Sequence, residues 1–497
     1  MRATSSAPVW TAAALTSALG AAVLYSADAG VNWPLWVAAT SVCMLVARLI
    51  YRGRIERPLA ILLAWATLLS LRFAFHDVGF PNLLVVMSDA MLLGLAVISI
   101  GVESWGALSA KLLAAVPGLA PFRVWRATAQ EVSAAPGLVA SPRSRSLVKG
   151  ALLSAPLIVL LVALLGSADP VFRWGTDHVA AWLPDWSFPP RLLFFLFLLS
   201  ITAGAYTLAA RQVEPALPNL PSPGRTFTMG VTEQRMILWS AAVVLWLFVV
   251  LQLSYVIHPP PAAIGNNVTF ADYARRGFAE LSIAATIVGA LILVLEYARR
   301  SDTTDKDRTV LVRLELGLVI ALELMLLSAF RRVILYEQAY GFTTARLVAQ
   351  AYMIVMSLAL VALAFELGRG SISMNFARRV AEIALGVLTI VVLWNHEAWI
   401  VNRNIDRARS TGKFDLAYAS TLSADAIPSL IARRRELGAT VAGQVEATVR
   451  CVPGNGERRW FEWNRSANEQ RAALASIHPA SCPAGQSLAW PRPRDID

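Results

Sequence analysis

The chain has 497 residues, 56% of them hydrophobic and 15% charged, with a mean hydropathy of +0.55. That balance excludes an ordinary water-soluble domain. The 44 Lys and Arg outnumber the 33 Asp and Glu, giving a net charge of +11. The positives are spread along the chain, not gathered on one face, which argues against nucleic acid as the partner.

Eleven apolar stretches have the length a helix needs to cross the hydrocarbon, about 20 residues. They are Val9–Ala27, Trp33–Ile50, Pro58–Phe75, Asn82–Val102, Ala151–Ser167, Arg191–Ala210, Met236–Val256, Ala279–Ala298, Val310–Phe330, Leu347–Gly368 and Val380–Ile400. Only helices satisfy the backbone in lipid over such runs. The expected fold is therefore all-α, a polytopic integral membrane bundle of about eleven transmembrane helices with a small extracytoplasmic C-terminal domain. Three regions follow: a four-span region with a cytoplasmic segment (1–150), a seven-span core (151–400) and the outer tail (401–497). The first span has a basic start and a small-residue Ala27-Asp28-Ala29 site, as a signal peptide would, but reads as an uncleaved first helix.

Basic residues orient the bundle. With the N-terminus in the cytoplasm, the inner segments hold 21 Lys and Arg between Arg2 and Arg379. The short outer loops hold 7: Arg173, Arg191, Arg275, Arg276, Arg331, Arg332 and Arg346. An odd number of spans then puts the tail outside, where Cys451 and Cys482 can pair in an oxidising compartment. Cys43 falls inside the second span as a small apolar filler.

Of the inner segments, 103–150 opens with an amphipathic interfacial stretch, Trp105 to Arg126, which Pro117, Pro121 and Pro136 are expected to break into short pieces. Segment 212–234 is Pro-rich and reads as an extended linker. In the tail, Asp425-Ala-Ile-Pro428 starts a helix through Leu437, Arg450 to Trp463 reads as a turn or hairpin, and Ala467 to Ile477 as another helix.

Few polar groups lie at membrane depth: Asp89, Glu315 and Glu323, with Arg72, Glu280, Arg313, His396 and Glu397 near span ends. Charge there is costly and is a functional hypothesis by default. Arg313 and Glu315 sit near the inner mouth as a structural pair or a snorkelling cation. Asp89 and Glu323 lie roughly 10 Å below the outer end of their spans, at about 1.5 Å per residue.

The outer segments concentrate charge. Asp272, Arg276 and Glu280 recur every four residues, a ladder on one helix face. Tyr273 and Arg275 accompany them, and Arg331, Arg332, Tyr336, Tyr340 and Arg346 follow the ninth span. Such a cluster either locks helix ends together by ion pairs or binds an anionic group through arginine forks. Catalytic templates are missing: five His with no metal-ligand spacing, no Gly-x-Ser-x-Gly elbow, and no cofactor motif. No catalytic residue, metal or cofactor is expected.

One run, Thr269-Phe-Ala-Asp-Tyr-Ala-Arg-Arg-Gly-Phe-Ala-Glu-Leu281, resembles the signature of a bacterial family of multi-spanning membrane proteins, the domain of unknown function 4173, related to 4153. Ser167-Ala-Asp-Pro-Val-Phe172 is similar to the same pattern, as are Leu335-Tyr336 with Tyr340-Gly-Phe-Thr343 and Arg346. So is Asp415-Leu-Ala-Tyr418 with Ser423-Ala-Asp425-Ala-Ile-Pro428. The likeness runs over roughly residues 150 to 435 and implies no activity. All four stretches fall on the outer face in this topology, either as a shared site or as shared packing signatures.

Three functions stay open. The first is a non-enzymatic sensor, scaffold or assembly factor of the bacterial inner membrane, whose outer face binds an anionic lipid headgroup or an envelope protein. The second is a transporter using Asp89, Glu315 and Glu323. The third is an enzyme on a lipid-linked envelope substrate, with Asp272 or Glu280 as base. Membrane lipids are the expected partners, and the oligomeric state is not readable.

Overall fold

A computed structural model describes residues 7–77, 79–107, 110–134, 150, 154, 188–211, 229–257, 270–299, 303–370, 372, 375–449 and 458–477. Among them all regular structure is helical, apart from one isolated bridge between Met229 and Arg299. The helices are α1 Ala7–Val23, α2 Asn32–Arg52, α3 Arg57–Ser70, α4 Arg72–Phe75, α5 Phe80–Ile98, α6 Ala110–Ala134 and α7 Phe188–Ala210. They continue as α8 Val231–Ile257, α9 Phe270–Ala298, α10 Asp305–Tyr340, α11 Thr344–Gly368 and α12 Phe376–Leu393. The last are α13 His396–Thr411, α14 Leu416–Ala419, α15 Ile427–Arg433, α16 Ala439–Val449 and α17 Arg465–Ala475.

Six of the described segments are long and apolar enough to cross a membrane: Asn32–Arg52, Arg57–Phe75, Pro81–Ile98, Pro190–Ala210, Val231–Val250 and Thr344–Gly368. Ala7–Val23 and Ile283–Ala298 are shorter apolar helices. Their outward faces carry Leu, Ile and Val where a soluble bundle would carry charge. On α8, Val243, Val244, Leu247 and Val250 are all exposed. Lipid is the solvent that such a face fits. The expected span 151–167 lies outside the described residues, except for Ser154.

The chain forms two compact units. The first comprises Met1–Pro218, Ser423–Asp425 and Pro453–His478, and the second Asn219–Leu422, Ala426–Val452 and Pro479–Asp497. In the first unit α7 packs on α1 and α6 through small and hydroxylic residues. Ser17 and Thr202 share a hydroxyl contact of 2.9 Å, and the Tyr206 hydroxyl lies 3.1 Å from Thr16 Oγ1. A Cβ on Gly204 would fall on the Val124 carbonyl oxygen, so the two backbones touch there. Small residues serve this purpose in lipid, where apolar burial alone gives no drive to associate.

Helix α6 corrects the expectation of short pieces. It runs unbroken for 25 residues with Pro117 and Pro121 inside it. The prolines are four apart, so both missing N–H groups fall on one face. Tertiary contacts hold the helix together: buried Val116, Ala120 and Ala127, the Thr128 hydroxyl donating to Ser200 O at 2.7 Å, and Arg123 Nη1 donating to Ile98 O at 3.2 Å.

In the second unit α10 is the central helix. Its 36 residues reach about 54 Å at ~1.5 Å per residue, well beyond a hydrocarbon core of about 30 Å. Leu318, Leu322, Met325 and Ala329 form one core with Leu245 and Val249 of α8, Ala285 and Ile292 of α9, and Met353 and Leu360 of α11. The expected last span is divided. Helix α12 stops at Leu393, Trp394 is extended, and the Asn395 side chain accepts from Ala398 N at 2.9 Å to start α13. Ile400, Val401 and Ile405 of α13 build a second core with Leu422, Ala426, Leu430 and Val445. Helix α16 was not expected. Helices α15 and α17 fall where the sequence places them.

Candidate functional site

The polar groups at membrane depth fall in different settings. Glu315, fully buried on α10, accepts from Arg299 Nη2 at 2.9 Å, and the same nitrogen reaches Glu296 at 2.5 Å. Arg313 is exposed instead. Glu323 accepts from the Ser357 hydroxyl at 2.7 Å, which ties α10 to α11. Asp89, on α5 in the other unit, is buried, and its Oδ1 has no hydrogen-bond partner among the described residues.

Beyond the far end of α10 the chain turns through Gly341 into α11, and this turn builds a pocket. Gly341 has φ +90°, and Thr343 caps α11 by accepting from Arg346 N at 3.4 Å. The Asn404 amide from α13 clamps the turn twice, accepting from Phe342 N at 2.6 Å and donating to Phe342 O at 2.9 Å. Arg407, one turn on, donates to the last carbonyls of α10, Gln338 O at 3.0 Å and Ala339 O. It thereby caps a helix other than its own. The Tyr418 hydroxyl accepts from Thr344 N at 2.7 Å, and Asp415 caps α14 by accepting from Tyr418 N at 2.8 Å.

The result is a concavity of about 90 Å³ lined by Tyr340 to Thr343, Arg346, Asn404, Arg407, Lys413 to Asp415, and Tyr418. Three cations face one carboxylate. None of the ion pairs among the described residues uses Arg346, Arg407 or Lys413. Arg346 donates to Gly341 O and lies over the Tyr336 ring at 4.1 Å, and Tyr336 packs on Tyr340 at 4.7 Å. The volume is well below the several hundred Å³ of a typical small-molecule site, and suits one anionic group.

Of the residues the sequence singles out, Tyr340 and Arg346 line this pocket and Tyr336 backs it. Arg331 is exposed and Arg332 half-buried on the preceding turns of α10. Asp272, Tyr273, Arg275, Arg276 and Glu280 lie on the first turns of α9, and their side chains lie outside the described residues, as do Cys451 and Cys482. Asn404, Arg407 and Lys413 were missed. Their only sequence signal is a polar, basic stretch directly after a span.

The first unit gathers a second polar cluster. His76 Nδ1 donates to Asp425 Oδ2 at 3.2 Å, and Asp77 N donates to Asp425 Oδ1 at 3.0 Å. Ala424 N donates to Asp77 Oδ2 at 3.1 Å, and the Asn464 amide donates to Phe73 O and His76 O. Burial pushes the Asp425 carboxyl up, but the bonds from His76 and Asp77 outweigh it and hold it below the usual carboxylate range. Both side chains are about 5% exposed, so this is a tie between segments and not an open reaction centre.

Among the described residues no three His, Cys, Asp or Glu side chains gather to hold a metal ion. Neither curated proteins nor solved structures gave a match to the chain. A family model, described as a domain of unknown function, DUF4153, matches residues 59–432. The match starts earlier than the likeness over 150 to 435, takes in His76 and Asp425 as well as the pocket, and is to the 4153 family, the relative that the resemblance implied. The chain belongs to the DUF4153 family, whose function is unknown.

Proposed function

We propose that this is a non-enzymatic, multi-pass protein of the bacterial inner membrane that recognises an anionic group on its outer side, as a sensor, scaffold or assembly factor. The observation that carries the reading is the pocket at the α10–α11 turn. Two of the family-like stretches, Tyr340 to Arg346 and Asp415 to Tyr418, meet there around Arg346, Arg407 and Lys413. Asp272, Tyr273, Arg275, Arg276, Glu280, Arg331 and Arg332 belong to the same outer-face reading as further candidates.

Chain parity supports the eleven-span topology. At one end of the first unit Arg48 donates to Ala209 O and Arg211 O at 3.2 Å each, so α7 finishes where the α2–α3 turn lies. At the other end the α1–α2 loop and the residues after α4 bond to 423–425 and 458–464. On this reading a chain leaving at Arg211 and returning at Ser423 crosses an odd number of times. Five long helices, α8 to α12, lie between. With the N-terminus in the cytoplasm, the tail and residues 401–497 are then outside.

The test is native mass spectrometry of the protein extracted with phosphatidylglycerol, with free phosphate as a competitor. Lys413→Glu reverses a pocket charge at an exposed position and should remove a bound lipid seen on the wild type. Displacement by phosphate alone would identify a free anion as the ligand. Equal retention by wild type and Lys413→Glu overturns the reading.

A further inference from the structure

The most exposed large apolar side chain of the tail segment 458–477 is Trp460, 72% exposed, and Trp463 beside it is 44% exposed. A short 3-10 turn, Trp460–Glu462, presents them. The turn is rigid: the buried Glu462 carboxylate accepts from Arg459 N at 2.8 Å and from Asp28 N at 3.3 Å. Two further bonds fix its level. Val31 N donates to Trp463 O at 2.9 Å, one residue before the candidate span Asn32–Arg52 begins. The adjacent Asn464 amide donates to Phe73 O and His76 O at 2.8 and 2.7 Å, at the close of the candidate span Arg57–Phe75. A Cβ on Gly30 would lie 2.6 Å from the Glu462 carbonyl oxygen, so the turn rests directly on the α1–α2 loop.

The two indoles are therefore held in the plane where two spans end. That plane is the bilayer–water interface, where an indole meets both of its needs, an apolar surface for the ring and water or a headgroup for the N–H. Both arginines at the turn are ion-paired, Arg459 with Glu462 and Arg465 with Glu469 at 2.7 Å. Arg459 lies 4.6 Å over the Phe461 ring, and Arg465 follows at the start of α17 with its side chain 59% exposed. We infer that the Arg459–Trp463 turn is an interfacial anchor that seats residues 458–477 on the lipid headgroup surface, with Trp460 as the inserted side chain. The level is continuous with the ends of the lipid-facing helices. This surface is separate from the pocket of the second unit and does not depend on it.

Nitroxide depth measurements test it in the whole protein in phosphatidylcholine–phosphatidylglycerol nanodiscs. Cys43, Cys451 and Cys482 are replaced by Ser, and single labels are placed by Trp460→Cys, Glu469→Cys on exposed α17, and Val42→Cys on the exposed face of α2. The expected result is collision with a water-soluble nickel chelate at 460 several-fold below that at 469, and oxygen collision between those at 469 and 42. Nickel collision at 460 equal to that at 469 would place the turn in water and overturn the proposal. The unmodified chain gives an independent reading by photolysis with a headgroup-proximal diazirine lipid. Adducts should map to the peptide holding Trp460, and their absence there, with adducts present on the span ends, counts against insertion whatever the variants do.

Discussion

Arg48 and Glu56 form the most enclosed ion pair of the first unit, with side chains 5% and 2% exposed. Arg48 Nε donates to Glu56 Oε2 at 2.9 Å, while its Nη1 serves two α7 carbonyls. Burial pushes the Glu56 carboxyl up, but the Arg48 bonds and charge outweigh it and leave it lowered. Arg48→Met removes every one of those bonds and leaves a buried carboxylate without its hydrogen-bonded cation, a loss of about 3–5 kcal/mol. The carboxylate has one escape, taking up a proton. From an ordinary value of about 4.3, that costs about 4 kcal/mol at pH 7 and about 1 kcal/mol at pH 5, at ~1.4 kcal/mol per unit. The destabilisation should therefore be capped near 4 kcal/mol at pH 7 and shrink as the pH falls. Glu56→Gln should cost less, about 1–2 kcal/mol, because Arg48 keeps both carbonyls and a neutral acceptor. Denaturant unfolding in detergent at pH 7 and pH 5 measures both. An Arg48→Met penalty that is below 1 kcal/mol at pH 7, or that does not change between the two pH values, refutes the reasoning.

Four other outcomes follow from the packing. Gly204→Val drives a side chain into the Val124 carbonyl, so α6 and α7 must separate, with an expected loss of about 2–4 kcal/mol in the unfolding midpoint series. Gly341→Ala places a Cβ at φ +90° and 2.8 Å from Asn404 Oδ1. It should cost about 1–3 kcal/mol and weaken anion retention at the pocket. The Asp425 carboxyl is held below its ordinary value, so its stabilising contribution is complete above the unfolded value of about 3.9 and is lost as pH falls through the lower folded value. Hydrogen exchange over 458–477, once corrected for intrinsic rates, should therefore rise as the pH falls below about 4. Asn464→Ala should raise it at every pH.

Hydropathy carried the class of fold, because span length is a local property of the chain. What it could not carry was partner choice across distance. Arg313 and Glu315 are two apart on a helix and point to different faces, so the partner of Glu315 had to come from elsewhere. It is Arg299, across the loop from α9. The prolines of α6 state a local preference that contacts with α5 and α7 override. The break at Trp394 was hidden because the apolar run continues through it, while Asn395 as a helix cap was there to be seen. In the pocket, Tyr340 and Arg346 stood out by residue type. Asn404 and Arg407 act on backbone atoms 62 and 69 residues away, and nothing in their own neighbourhood marks them.

His76 and Asp425 are 349 residues apart in the chain. Until Asp425 and Asn464 have been made, the Phe73 and His76 carbonyls and the Asp77 N–H lack these particular partners. The amino-terminal helices are therefore made well before the chain that completes this cluster. A chaperone or protease that acts before this cluster is complete would meet every nascent copy, and its window would close only when the tail is made.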